Sequence, residues 1–228
     1  MFLKREFYKK LLITFSFLFI LTLGYSQNSD YHKNEISLGL INMAESPKNQ
    51  EILFKNSYYF VPFSNLTYKR FINERNAIRL TYYRPINKSN EKPPSNLNDN
   101  STYKEQVLKI GYEYIFKQKR ITPYIAIDIT YLNSASSRES GGGFAGSYNG
   151  IEKDIQGFGI SPTIGINYNL FKNIYIGLES NLSILKYNEE KTTSSKILYS
   201  DPIERFSETD DYFEYIFNPI VFLVKFRF

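Results

Sequence analysis

The segment GFGISPTIGINYNL, residues 157–170, alternates without a miss. Phe158, Ile160, Pro162, Ile164, Ile166, Tyr168 and Leu170 are apolar or amphipathic. Gly157, Gly159, Ser161, Thr163, Gly165, Asn167 and Asn169 are small or polar. A strict period of two marks a strand whose faces meet different surroundings. Strands of soluble domains run to about 5–6 residues, and this one is far longer. Lipid on one side and a filled polar interior on the other would account for both features.

The same reading extends outward to seven partners. The first is Glu35 to Ile41, the second Tyr58 to Phe71, the third Ala77 to Arg84 and the fourth Glu105 to Phe116. The fifth is Thr122 to Leu132, the opening segment is the sixth, the seventh is Ile174 to Leu185 and the eighth Tyr212 to Phe228. Pro62 weakens the upper half of the second, because proline cannot donate to a ladder. Asn73 to Asn76, Lys117 to Arg120 and Phe171 to Asn173 are tight turns. The links near 42–57, 85–104, 133–153 and 186–211 are long and polar. Short turns at one rim and long loops at the other are the geometry of an outer-membrane barrel, with the short turns periplasmic. The sequence therefore predicts an all-β chain, an eight-stranded antiparallel up-and-down transmembrane β-barrel, with both ends in the periplasm.

Composition points the same way. The chain has 20 Tyr and 19 Phe. Tyr82, Tyr83, Tyr131, Tyr187 and Tyr212 fall towards the long-loop rim, and Phe71, Phe116, Tyr168, Phe171, Tyr175 and Phe228 towards the other. Two aromatic girdles are expected at the lipid–water boundaries. A soluble β-sandwich would not need one small-residue face on every strand.

Lys4, Arg5, Lys9 and Lys10 precede an apolar run from Leu11 to Leu23 and the small-residue site Gly24-Tyr25-Ser26. That is the pattern of a removable secretory signal, residues 1–26, which leaves 27–228 as the barrel domain. Removing four basic residues and one acidic one lowers the net charge from +5 to +2. The basic balance is thus no argument for nucleic-acid binding. With no Cys there is no disulfide framework and no N-terminal lipid anchor.

Eight strands enclose a lumen just wide enough for side chains. Inward positions carry both charge signs, and burial demands that these pair. Lys69 and Arg227 also point inward, and an interior ion-pair network of Arg79, Lys109, Glu113, Asp128, Glu179 and Lys225 is expected. It would close the barrel as a plug; a narrow porin-like conduit is the alternative. Gly157, Gly159 and Gly165 are expected to line a cavity, unless bulky residues of the opposite wall pack against them.

No catalytic, cofactor-binding or metal residues are expected. His32 is the single histidine and precedes the first strand, a poor place for a general base. Gly141-Gly142-Gly143 and Gly146 lack the lysine of a phosphate loop. Glu208, Asp210, Asp211 and Glu214 match no calcium-loop spacing and read as a solvated rim.

The signal, the alternation and the ending Lys225-Phe226-Arg227-Phe228 together resemble the small bacterial outer-membrane β-barrel proteins. These are the OmpA/OmpX-like and OmpW-like group, in the form common among Bacteroidetes. The resemblance implies that Phe228 is an assembly signal. It also implies, as partners, the barrel assembly machinery, periplasmic chaperones, outer-membrane lipids and lipopolysaccharide, with the protein a monomer in the cell outer membrane. The expected role is structural or surface-interactive and non-enzymatic. The alternatives are binding or passage of a small, hydrophobic solute and, last, a lipid-modifying enzyme.

Overall fold

The computed structural model describes residues 33–45, 58–84, 98–116, 120–142, 147–196 and 203–228. The chain divides into two units, Met1–Lys33 and Asn34–Phe228. The expected signal segment and His32 lie outside the described residues. The second unit is all strand: β1 (Asn34–Glu45), β2 (Tyr58–Phe71), β3 (Asn76–Tyr83), β4 (Asn98–Ile115), β5 (Ile121–Gly142), β6 (Ser147–Phe171), β7 (Ile174–Lys196) and β8 (Glu204–Arg227). Each pairs antiparallel with the next, and β8 pairs with β1. Reciprocal backbone bonds between Asn34 and Phe228, at 2.9 and 2.8 Å, complete the closure. Among the described residues no helix is long and apolar enough to cross a membrane.

Burial is inverted relative to a globular domain. On β5, Ile125, Ile127 and Ile129 are 44%, 54% and 51% exposed, whereas Asp128 and Thr130 are fully buried. The same inversion runs around the ring, with Ile78, Leu108, Ile110, Ile160, Ile164, Leu178 and Phe226 all exposed. Ile121 to Tyr131 spans the apolar band; ten steps of about 3.3 Å at a tilt of about 40° give about 25 Å. That is the height of a lipid-facing belt.

Three stretches interrupt the ladders. Register shifts occur between Gly39 and Ile41 on β1, between Asn169 and Phe171 on β6 and between Glu179 and Asn181 on β7. β2 sets two residues, Phe63 and Ser64, against the single Leu40, and β8 sets Pro219 and Ile220 against the single Ser180. Phe63 takes a left-handed φ of 49°. The shift on β1 resets the parity, so Ile41 faces out and Asn42 in.

The strands are longer than their amphipathic stretches. β4 begins at Asn98, β5 runs to Gly142, β6 starts at Ser147, β7 ends at Lys196 and β8 starts at Glu204. Most of the expected loops at 133–153 and 186–211 is therefore ladder. Above the belt the outward residues turn polar, so the apolar–polar alternation that betrays a strand disappears. Cross-strand polar pairs replace it: Thr102 with Ser137 at 2.7 Å, Thr192 with Ser207 at 2.9 Å, and Lys191 with Glu208 at 2.6 Å.

The girdles also differ from expectation. Tyr82 and Tyr131 face out, with Phe158, Phe213 and Tyr215 beside them. Tyr83, Tyr187 and Tyr212 sit on the opposite parity and gather around a buried cluster of Val107, Leu132, Ile155 and Leu185 inside the mouth. At the other rim Phe116, Tyr168, Phe171 and Phe228 face out, but Phe71 is buried. The Arg227 guanidinium lies over the rings of both Phe71 and Tyr175, 4.4 and 4.5 Å from their centroids.

Candidate functional site

The lumen is built in layers from inward positions. Nearest the short turns, Glu35 of β1 accepts from Arg227 of β8 at 3.0 Å. Above it, Lys69 of β2 bridges Glu35 at 3.3 Å and Glu113 of β4 at 2.7 Å. Arg79 of β3 reaches three carboxylates: Asp128 of β5 at 3.0 Å, and Glu113 and Glu179 at 3.4 Å each. Lys225 of β8 completes the ring, 3.4 Å from Glu179 of β7. Four cations thus face four carboxylates, all drawn from different strands except Lys225 and Arg227. All eight are buried.

Of the expected network residues, Arg79, Glu113, Asp128, Glu179 and Lys225 meet in this cluster. Lys109 stands one layer higher. Its ammonium donates to the neutral Asn181 and Ser183, both at 3.3 Å. A hydroxyl chain continues from there: Ser183 to Ser161 at 2.7 Å and Ser161 to Thr130 at 2.7 Å.

The hub of the cluster, outside the expected network, is Tyr124 on β5. Its ring lies between the ammonium groups of Lys69 and Lys225, each 4.8 Å from the centroid. Its hydroxyl donates to Glu179 and accepts from Lys225 at 3.0 Å. Residue type gave no signal here. The register did: Tyr124 lies directly across from Gly165 on β6.

That pairing corrects the expected glycine-lined cavity. A Cβ at Gly165 would stand 2.2 Å from the Tyr124 ring, and one at Gly157 would stand 2.4 Å from the Tyr187 ring. At Gly159 the carbonyl of Ile184 occupies the space, at 1.9 Å. The missing side chains are filled by residues of adjacent strands, not by the opposite wall. A cavity of about 50 Å³ lies elsewhere, beside Lys109, with Asn42, Asn65, Asn181 and Asn218 among its lining residues. At roughly 15 Å³ per water site it holds a few waters. It sits between the charged cluster and the apolar cluster of the mouth and shares Arg79, Glu179, Val107, Leu132 and Leu185 with them.

Beyond the mouth, the acidic group is already engaged by lysines of β7. Lys186 pairs with Asp211 at 3.0 Å and Lys191 with Glu208 at 2.6 Å. The Glu208 hydrogen bond holds the Lys191 ammonium above its usual range. Hydrogen bonds from Asn188 and Lys186 hold the Asp211 carboxyl below the usual range. Glu214 is buried on the lumen side. Among the described residues no three His, Cys, Asp or Glu side chains are grouped as metal ligands. Gly141 and Gly142 end β5, and Gly143 and Gly146 lie outside the described residues.

No family model matches the chain, and neither does any curated protein. Its fold is similar to that of several solved outer-membrane proteins. Ail, the attachment invasion locus protein of Yersinia pestis, is 13% identical over 87% of this chain and 100% of that one, with a TM-score of 0.45. Outer Membrane Protein W of Escherichia coli is 12% identical over 88% and 100%, with a TM-score of 0.39. The outer membrane protease OmpT of Escherichia coli is 9% identical over 86% and 96%, with a TM-score of 0.42. At such identities and scores, the closed barrel rests on this chain's own strand pairing.

Proposed function

We propose that this chain is an integral outer-membrane β-barrel with a closed lumen and a structural or surface-interaction role. The observation that carries the reading is the inversion of burial. Isoleucines, leucines and aromatics cover the outside over the height of a bilayer core, while arginine, lysine and glutamate fill the inside. In water that outer surface would be an apolar patch far larger than monomers tolerate; in lipid it is the stable face. The polar extension of β4 to β8 supports surface interaction, since it carries paired hydrogen-bonded strands well past the belt.

A non-enzymatic role fits the chemistry of the interior. The only histidine, His32, precedes β1 in the sequence, and none of the described barrel strands carries an imidazole to serve as a general base. The carboxylates there are engaged by guanidinium and ammonium groups. Phe228 as an assembly signal, and the assembly machinery, chaperones and lipopolysaccharide as partners, belong to the same proposal.

A second reading, passage of a small solute, draws on the water-sized cavity. It lies behind the stretch of wall where the β1, β2 and β8 ladders are interrupted, near Asn42, Asn65 and Asn218. Planar-bilayer recording of refolded protein separates the two. The closed plug predicts no discrete conductance steps; a stable unitary conductance would overturn it in favour of a conduit.

A further inference from the structure

Each of the three short turns sets a large exposed apolar side chain beside a cation. Between β2 and β3, Ile72 is 62% exposed and Arg75 stands three residues further on in the same turn. Between β4 and β5, Phe116 and Ile121 are 50% and 53% exposed and flank Arg120. Between β6 and β7, Phe171 is 68% exposed and Lys172 is next. Arg75, Arg120 and Lys172 are all exposed, and among the described residues none is in an ion pair. Glu74 is the one carboxylate on the described turn residues. The opposite rim differs: there Lys186 and Lys191 are matched by Asp211 and Glu208.

Two of the cationic turns have fixed geometry. Asn73 Oδ1 accepts from the backbone N–H of Arg75 and of Asn76 at 2.9 and 3.0 Å, an Asx-type closure. The Arg120 guanidinium lies over the lipid-facing Tyr168 ring, 5.2 Å from its centroid. The apolar members of each pair continue the outer belt to its edge. The cations stand in the turns at that edge.

We infer that the short-turn rim binds the anionic headgroups of the phospholipid leaflet that bounds it, with Arg75, Arg120 and Lys172 as the contacting charges. The apolar neighbours fix the depth, and the unmatched cations select negative headgroups over zwitterionic ones. Basic residues close to an anionic lipid surface each attract it appreciably, and the attraction is screened by salt. The inference rests on the membrane placement proposed above.

The test is lipid selectivity by electron spin resonance on the full chain, refolded in phosphatidylcholine vesicles. Spin-labelled phosphatidylglycerol and spin-labelled phosphatidylcholine are compared in the motionally restricted shell. The expected result is a preference of about threefold for phosphatidylglycerol at low salt, lost at high salt. It should also be lost in the triple variant Arg75→Gln, Arg120→Gln, Lys172→Gln, with the heat-dependent gel mobility shift reporting that the variant is folded. A restricted shell without preference, or a preference that survives both salt and the triple variant, overturns the inference. Absence of any restricted shell with either lipid instead overturns the membrane placement, and the inference with it.

Discussion

Arg79 touches carboxylates from β4, β5 and β7, so one side chain ties four staves of the barrel together. A buried ion-pair network adds little net stability over an apolar filling, but removing one partner leaves uncompensated charge. Arg79→Met should therefore lower unfolding free energy by about 3–5 kcal/mol, read from urea transitions in lipid vesicles. Glu113→Gln, which keeps shape and leaves Arg79 two other partners, should cost less and should lower the temperature of the gel mobility shift. Equal transitions in wild type and both variants would remove the network from the account. Gly165→Val asks a different question. A side chain there collides with Tyr124 between its two lysines, and overpacking of this kind costs about 1–3 kcal/mol. The sequence made the charged residues legible because their parity on each strand is unambiguous. The role of Gly165 was not legible, since it depends on which residue the neighbouring strand sets opposite it.

At the scale of elements, the readable part of each strand is the belt with an apolar outer face. β2 and β3 lie within a residue of their expected bounds at each end. The expected bounds of β5 to β8 stop near Leu132, Gly157, Leu185 and Tyr212, where outward residues turn polar. Asn133, Gln156, Lys186 and Asp211 face out at that level. Pairing continues above it because the ladder needs no apolar face. Amide hydrogen exchange distinguishes a strand from a loop there. Residues 133–140 and 187–194 should be protected to an extent approaching that of the belt, and exchange at loop rates would contradict the observed register. The interruptions at Leu40, Phe63 and Pro219 have partial sequence signals in Pro62 and Pro219. The left-handed Phe63 has none, for a phenylalanine gains nothing from that conformation.

Over the whole molecule, three zones follow one another along the barrel axis: a cationic, apolar-edged rim at the short turns, a charge-filled lumen within the belt, and a polar strand extension past a mouth packed with Tyr83, Tyr187, Tyr212 and aliphatics. The central claim is that the apolar exterior meets lipid and the charged interior does not meet bulk water. The chain lacks cysteine, so single-cysteine nitroxide labels test it without background. In refolded vesicles, labels at Ile125→Cys, Ile127→Cys and Ile129→Cys should be far more accessible to oxygen, which concentrates in lipid, than to a water-soluble nickel relaxant. The contrast should be greatest near Ile127, and a label at Thr130→Cys should be reached poorly by either. High nickel accessibility along the isoleucine series would place that face in water and contradict the account.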